Sequence, residues 1–253
     1  MIIAKKHLGQ HFLTDKNIAN KIASSLINQQ KLPVMEIGPG TGILTTELIK
    51  INNKLTLVEI DTDSVNYLKQ NFNNNEFRLL HKDFLKINFK DYFDDELCII
   101  GNFPYNISSQ ILFKLLDNRE LIPELCGMFQ KEVAERIVAN HGNKTYGILS
   151  VLLQLFYKIE YLFTVNENVF LPPPKVKSAV IRLTRYRKNI PDIDEKKLFL
   201  VIKTAFNQRR KTLRNSLRGI LNTEQNTEHN FFSLRPEQLS PEDFIELLSI
   251  LCN

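Results

Sequence analysis

The stretch Gly101-Asn102-Phe103-Pro104-Tyr105-Asn106 holds the residue types in this chain best suited to chemistry. An exocyclic amine on an aromatic ring is a poor nucleophile, because its lone pair is delocalised into the ring. Acceptors on its two hydrogens turn the nitrogen towards tetrahedral geometry and aim the lone pair at a methyl donor. The Asn102 side-chain oxygen and a main-chain carbonyl at Phe103 or Pro104 are such acceptors, and proline fixes the loop while offering no N–H to compete. Tyr105 presents a flat face for an extruded base, as enzymes that work on bases require. Asn102, Phe103, Pro104 and Tyr105 are therefore the candidate catalytic residues; the bland reading is a turn with an exposed aromatic.

A second constellation has the makings of a nucleoside site. Glu36-Ile37-Gly38-Pro39-Gly40-Thr41-Gly42 places Gly38 and Gly40 where the backbone turns tightly and approaches a ligand. The loop lacks the Lys-Ser/Thr that grips phosphates, which disfavours a nucleoside triphosphate. Glu59 follows about 20 residues later, where a carboxylate can bind both ribose hydroxyls, and Asp83 can accept from an adenine amine. Each acid alone reads as a solvated strand end, but in register they point to one site.

These loops need a scaffold. Residues 34–37, 55–60, 77–81, 97–100 and 125–129 read as strands, with helices over 43–50, 64–72 and 108–117, the last opened by Ser108 as N-cap. That alternation predicts an α/β fold, a doubly wound parallel sheet with the loops at its carboxyl edge. Helices over 131–140 and 148–157 follow, then an antiparallel pair over 159–165 and 176–184 that closes the sheet. Pro172-Pro173-Pro174 removes three amide donors, so it is an ordered loop. Beyond Pro191 the pattern turns helical (195–220, 236–239, 241–251), which predicts a catalytic domain over 1–188 and a small all-α domain over 189–253.

The net charge of +5 is unevenly spread. Residues 171–218 hold 14 Lys/Arg against 3 Asp/Glu, leaving 19 against 25 elsewhere, and a basic segment in an otherwise acidic chain suits a polyanion such as nucleic acid. Three scattered cysteines argue for a reducing compartment, and the five histidines have no cysteine partners at zinc spacing, so no metal is expected. No apolar run approaches a membrane span and no secretory signal is expected at the start, which gives a cytoplasmic, monomeric protein as the expectation.

The glycine loop, the Glu59 and Asp83 strand ends and Asn102-Phe103-Pro104-Tyr105 resemble the cofactor and target-base motifs of the ribosomal RNA adenine dimethyltransferase superfamily. The resemblance covers nearly the whole chain. Gly9-Gln10-His11-Phe12-Leu13, residues 130–136, residues 172–180 and residues 206–217 are similar to its housekeeping branch, which acts on small-subunit RNA, and the basic helix separates it from the antibiotic-resistance branch. The resemblance implies a Rossmann-like fold with a small all-α C-terminal domain and S-adenosylmethionine as methyl donor. It further implies N6-dimethylation of two adjacent adenosines in the hairpin loop near the 3′ end of small-subunit (16S) ribosomal RNA, on the immature small subunit. It carries cofactor contacts to His11, Leu13, Gly38, Gly40, Glu59, Asp83 and Asn102. Many relatives have Asn at the position of His11, a change that a backbone contact tolerates and a side-chain amide contact does not.

RNA contacts are expected from Lys175, Lys177, Lys203, Arg209, Arg210, Lys211, Arg214 and Arg218, with Arg182 and Arg185 extending the surface. On one helix Lys203, Arg210, Arg214 and Arg218 share a side, while Ile202, Phe206, Leu213 and Leu217 form its apolar stripe. Four rivals remain open at this point: a nicotinamide-dependent oxidoreductase, which leaves Asn102 to Tyr105 without a role, a non-catalytic ribosome-assembly factor, a large-subunit RNA methyltransferase and a DNA adenine methyltransferase.

Overall fold

The computed structural model describes residues 2–73, 75–220 and 228–252. Contacts divide the chain into two units, Met1–Ala134 with Ile159–Arg185 and Glu135–Lys158 with Tyr186–Asn253.

In the first unit, Phe12–Leu13 (β1) leads to Lys16–Ala23 (α1), whose first turn is capped by Asp15 accepting from the amides of Asn17 and Ile18. Val34–Ile37 (β2), Ile43–Ile49 (α2), Leu55–Glu59 (β3), Thr62–Asn71 (α3), Arg78–His81 (β4), Cys98–Asn102 (β5), Ser108–Asp117 (α4) and Glu124–Gln130 (β6) then alternate. Every residue of β2 and β3 is buried, as are all but the last of β5 and β6, the mark of a parallel sheet covered on both faces. Lys131–Val138 (α5) and Ile148–Gln154 (α6) precede Tyr157–Val165 (β7), Phe170–Leu171 (β8) and Ser178–Arg185 (β9). The sheet order is β4-β3-β2-β5-β6-β9-β7, and β1 pairs with β8 in a separate antiparallel ribbon.

β2 pairs in parallel with β3 on one side and β5 on the other. The strand order therefore reverses there, and the loops after β2 and β5 flank the crevice that this opens. β9 runs antiparallel to β6, from Glu124 opposite Thr184 to Gln130 opposite Ser178. Each expected strand of this sheet is present, with ends shifted by a residue or two. Ser108 is not the N-cap: a 3-10 turn over Tyr105–Ile107 runs straight into α4, and the Ser108 hydroxyl donates back to the Pro104 and Tyr105 carbonyls.

In the second unit, α6 packs with Glu195–Asn207 (α7) and Pro241–Cys252 (α9), and Leu213–Ser216 (α8) packs on α7. Tyr146, Phe206 and Phe244 form its aromatic centre, with ring centroids 6.1 Å and 6.0 Å apart in sequence. Residues 135–158 thus pack with the C-terminal helices, because α6 buries Ser150, Val151, Leu152 and Leu153 among them. The single helix expected over 195–220 is broken after Asn207. Gln208 has φ −119° and ψ 42°, and the Leu213 amide bonds to the Leu234 carbonyl at 2.7 Å in place of a helical partner. Leu213 and Leu217 are fully buried, so the break serves packing that a straight helix would miss. Among the described residues no helix is long and apolar enough to cross a membrane.

Candidate active site

The glycine loop, β3, β4 and β5 all end at one cavity in the first unit. Gly38, Gly40, Glu59, Asp83, Asn102, Phe103, Pro104 and Tyr105 line it, and residues 8–12 supply a further wall. Gly40 has φ +56°, and a Cβ there would lie 2.8 Å from the Phe12 ring, so both backbone and space demand glycine. Glu59 is 4% exposed; one carboxylate oxygen accepts from the Gly40 amide at 3.1 Å, the other from the Ile60 and Asp61 amides at 2.9 Å each. A carboxylate has about four lone-pair sites, so one remains for a donor in the cavity. Burial pushes the Glu59 carboxyl up, against these amides. Burial also pushes Glu36 up, to about 8; the Thr45 hydroxyl bond at 2.6 Å opposes this and the Glu59 charge adds to it.

Asp83 stands two residues beyond the end of β4, where its carboxylate caps the 3-10 turn Phe84–Lys86 by accepting from the Leu85 amide at 2.9 Å. Asn102 ends β5. Its Nδ2 donates to the His11 carbonyl at 2.9 Å, and since a carbonyl only accepts, the amide is oriented with Oδ1 as its remaining acceptor. Phe103 is 1% exposed and packs at a tilt against Phe129, with ring centroids 4.8 Å apart, in space left by Gly101 and Gly127. Its side chain thus anchors the loop, and only its main chain can face a ligand.

The Tyr105 hydroxyl pairs with the Ser178 hydroxyl at 2.5 Å, and burial, partly offset by that bond, pushes its pKa up. Its ring stacks on His11 at 5.4 Å, while His11 Nδ1 lies 2.8 Å from the Pro172 carbonyl. A second cavity shares Gly9, Gln10, His11 and Tyr105 with the first and continues along Pro172, Pro173, Pro174, Lys175 and Val176. Leu13 is the expected contact that lies apart: it is 3% exposed in the core and lines neither cavity.

The wall formed by residues 8–12 is held by contacts that the sequence did not signal. Lys5 pairs with Asp61 and, at 2.7 Å, with Asp63, and Gln10 Nε2 donates to Asp61 at 3.2 Å. Burial would raise the Asp61 carboxyl, but Lys5, Gln10, Ser64 and the Asp63 amide outweigh it and hold the group near 2. Ser178 was legible only as part of the motif after the prolines.

The sequence matches the family described as ribosomal RNA adenine dimethylase over residues 2–250. The chain belongs to that family. Its relatives include proteins named ribosomal RNA small subunit methyltransferase A. The one from Porphyromonas gingivalis is 56% identical over 252 residues, with 98% of this chain and 97% of that protein covered. The one from Parabacteroides distasonis is 54% identical over 251 residues, covering 99% and 94%. The crystal structure of a dimethyladenosine transferase from Plasmodium falciparum superimposes with a TM-score of 0.82 at 28% identity, covering 94% of this chain and 96% of that one. The 23S rRNA methyltransferase ErmE shares the fold, with a TM-score of 0.72 at 23% identity over 96% of this chain and all of that one. This is the Rossmann-like fold of S-adenosylmethionine-dependent methyltransferases.

The cations expected to bind RNA differ in exposure. Lys175 and Lys177 in the first unit are exposed, as are Lys203, Arg210, Lys211, Arg214 and Arg218 in the second. Arg209 is half-buried and engaged, donating to the Asn143 carbonyl at 3.2 Å and lying 3.7 Å from the Glu237 carboxylate. Arg182 bonds Glu160 and the Ser25 carbonyl, each at 3.0 Å, and Arg185 bonds Glu96 at 2.6 Å. These two arginines brace the fold and do not extend a basic surface. Because α7 ends at Asn207, Lys203 no longer shares a helix with Arg210, Arg214 and Arg218.

Proposed function

We propose that this dimethylase transfers methyl groups from S-adenosylmethionine to N6 of two adjacent adenosines in the hairpin loop near the 3′ end of small-subunit (16S) ribosomal RNA. The observation that carries this reading is the Asn102 amide. Its Nδ2 is committed to His11, so Oδ1 is the acceptor left in the wall of a cavity that also holds Glu59 and Asp83.

The residues present fit the cofactor. Glu59 keeps one lone-pair site for a ribose hydroxyl at the glycine loop, and Asp83 with apolar Phe84 and Leu85 suits an adenine ring and its amine. When bound, S-adenosylmethionine supplies an electrophilic methyl on a sulfonium. The target base enters by the second cavity and stacks at Tyr105, whose ring Ser178 and His11 hold in place. Asn102 Oδ1 then accepts one amine hydrogen. The Pro104 carbonyl is already engaged by the Ile107 amide and the Ser108 hydroxyl, at 3.3 Å each, which favours the Phe103 carbonyl for the other hydrogen. Both acceptors are fixed before the reaction, so positioning and charge complementarity provide the catalysis. The alkylated nitrogen gives its extra proton to water, and no strong base is needed.

The second unit, with Arg210, Lys211, Arg214 and Arg218, is the proposed RNA-binding domain, joined by Lys175 and Lys177 in the first. Phosphate contacts position the RNA, and loop shape and the extruded base select the site. A monomer in the cytoplasm acting on the immature small subunit completes the proposal. It is tested by incubating the protein with labelled S-adenosylmethionine and unmodified small subunits, then digesting the RNA for mass spectrometry. Dimethyladenosine at two neighbouring positions is expected, and Asn102→Ala should abolish transfer while leaving RNA binding intact. Label at another base, or full transfer by the Asn102→Ala protein, would overturn the reading.

A further inference from the structure

The turn that carries Asp83 has a support from outside its own strand. Lys114 on α4 extends to it, and its ammonium donates to the Leu85 carbonyl at 3.0 Å and the Ile87 carbonyl at 2.6 Å. The same ammonium lies 5.6 Å from the Phe84 ring centroid and 5.4 Å from that of Phe89. A 3-10 turn of three residues leaves carbonyls without helical partners, and a cation with three donors can satisfy two of them at once. Burial lowers the pKa of this lysine, opposed by the charges of Asp83 and Asp117.

Leu85 is the joint. Its amide is held by the Asp83 carboxylate and its carbonyl by Lys114, so the direction of that carboxylate depends on both. Phe84 and Leu85 line the cavity beside Asp83. α4 begins at Ser108, directly after the turn that contains Tyr105, so Lys114 also ties the helix of the catalytic loop to this turn.

We propose that Lys114 is a positioning residue that aims Asp83, through Leu85, at the 6-amino group of the cofactor's adenine. This rests on the reading of Asp83 as the acceptor for that amine. Lys114 touches neither cofactor nor substrate in this scheme; it sets how strongly the cavity prefers an amino-substituted purine.

The test measures binding of S-adenosylmethionine, and of an analogue whose purine lacks the 6-amino group, by calorimetry on the full chain. The wild-type protein should prefer the amino form by about tenfold or more, the value of one charged hydrogen bond. Lys114→Met should lose most of that preference while binding the analogue nearly as well as wild type, and Lys114→Arg should restore much of it. Lys114→Gln, which keeps a single donor group, should fall between and serves if the methionine variant folds poorly. A purely structural lysine would weaken both ligands equally. Full discrimination by Lys114→Met or Lys114→Gln, alongside its loss in Asp83→Asn, would sink the proposal for Lys114. Wild-type protein that does not discriminate would instead remove the Asp83 reading, and Lys114 with it.

Discussion

Phe103 is the keel of the proposed catalytic loop, and the sharpest way to disturb it is from beneath. A Cβ added at Gly127 on β6 would stand 2.2 Å from Phe103 Cε2 and 2.7 Å from the Gly101 carbonyl oxygen. Carbon atoms in contact sit at about 3.5–4.0 Å, so the ring must retreat by more than about 1 Å in a space already filled by Phe129. Overpacking of this kind costs about 1–3 kcal/mol, and with a backbone oxygen also in the way Gly127→Ala belongs at the upper end. For a chain of this length that is a fall in thermal midpoint of about 6–12 °C. Because Phe103 lies between Asn102 and Pro104, the shift also moves the acceptors, and a displacement of about 1 Å lowers transfer by about 100-fold. The assay pairs thermal unfolding with methyl transfer for Gly127→Ala, Phe103→Leu and the double variant. The smaller side chain gives the new methyl room, so the double variant should be more stable than the sum of the singles by about 1 kcal/mol or more. Strict additivity, or a Gly127→Ala enzyme with unchanged transfer, would refute the idea that this ring carries the loop.

Two further outcomes follow from the charges. Asp61 is 3% exposed and its folded pKa is depressed from 3.8 to about 2, so its contribution is present above about pH 4 and is lost as pH falls through 2. Asp61→Asn should therefore destabilise the protein at neutral pH by about 2 kcal/mol and flatten the loss of stability between about pH 4 and 2, as read from urea midpoints. An unaltered acid limb would contradict this. Neutralising Arg210, Lys211 and Arg214 together should weaken RNA binding and reduce the slope of log K against log salt by about 2, at about 0.7 per phosphate contact for single strands. An unchanged slope would remove these cations from the interface.

The sheet and most of the site were legible in the sequence, for a reason specific to parallel α/β folds. Buried parallel strands read as short apolar runs, and whatever follows each run is delivered to one edge of the sheet. Gly38, Glu59, Asp83 and Asn102 are far apart in the chain, yet each ends or follows a strand, so their meeting could be anticipated from position alone. Asp83 lies two residues past the end of its strand, as the N-cap of a 3-10 turn that the sequence pattern did not signal.

What stayed hidden has a common cause. The Asn102 amide is oriented by the carbonyl of His11, 91 residues earlier, and His11 is itself placed by the Pro172 carbonyl, 161 residues later. Main-chain carbonyls have no sequence signature, so the partner that decides which way the Asn102 amide faces cannot be read from residue types. The break after Asn207 was concealed by an accident of spacing: Phe206 and Leu213 are seven residues apart, two turns of an unbroken helix, although Leu213 is in fact brought to the core by its bond to Leu234. Charge was misleading for a related reason. Arg182, Arg185 and Arg209 counted towards a basic segment until the carbonyls and carboxylates that bind them were in view. A cation's type gives its charge, but only its partners decide whether that charge is left for a phosphate. Among the cations proposed to face RNA, Arg210, Lys211 and Arg214 are exposed and cluster most tightly along the chain, which is why they are the three to neutralise together.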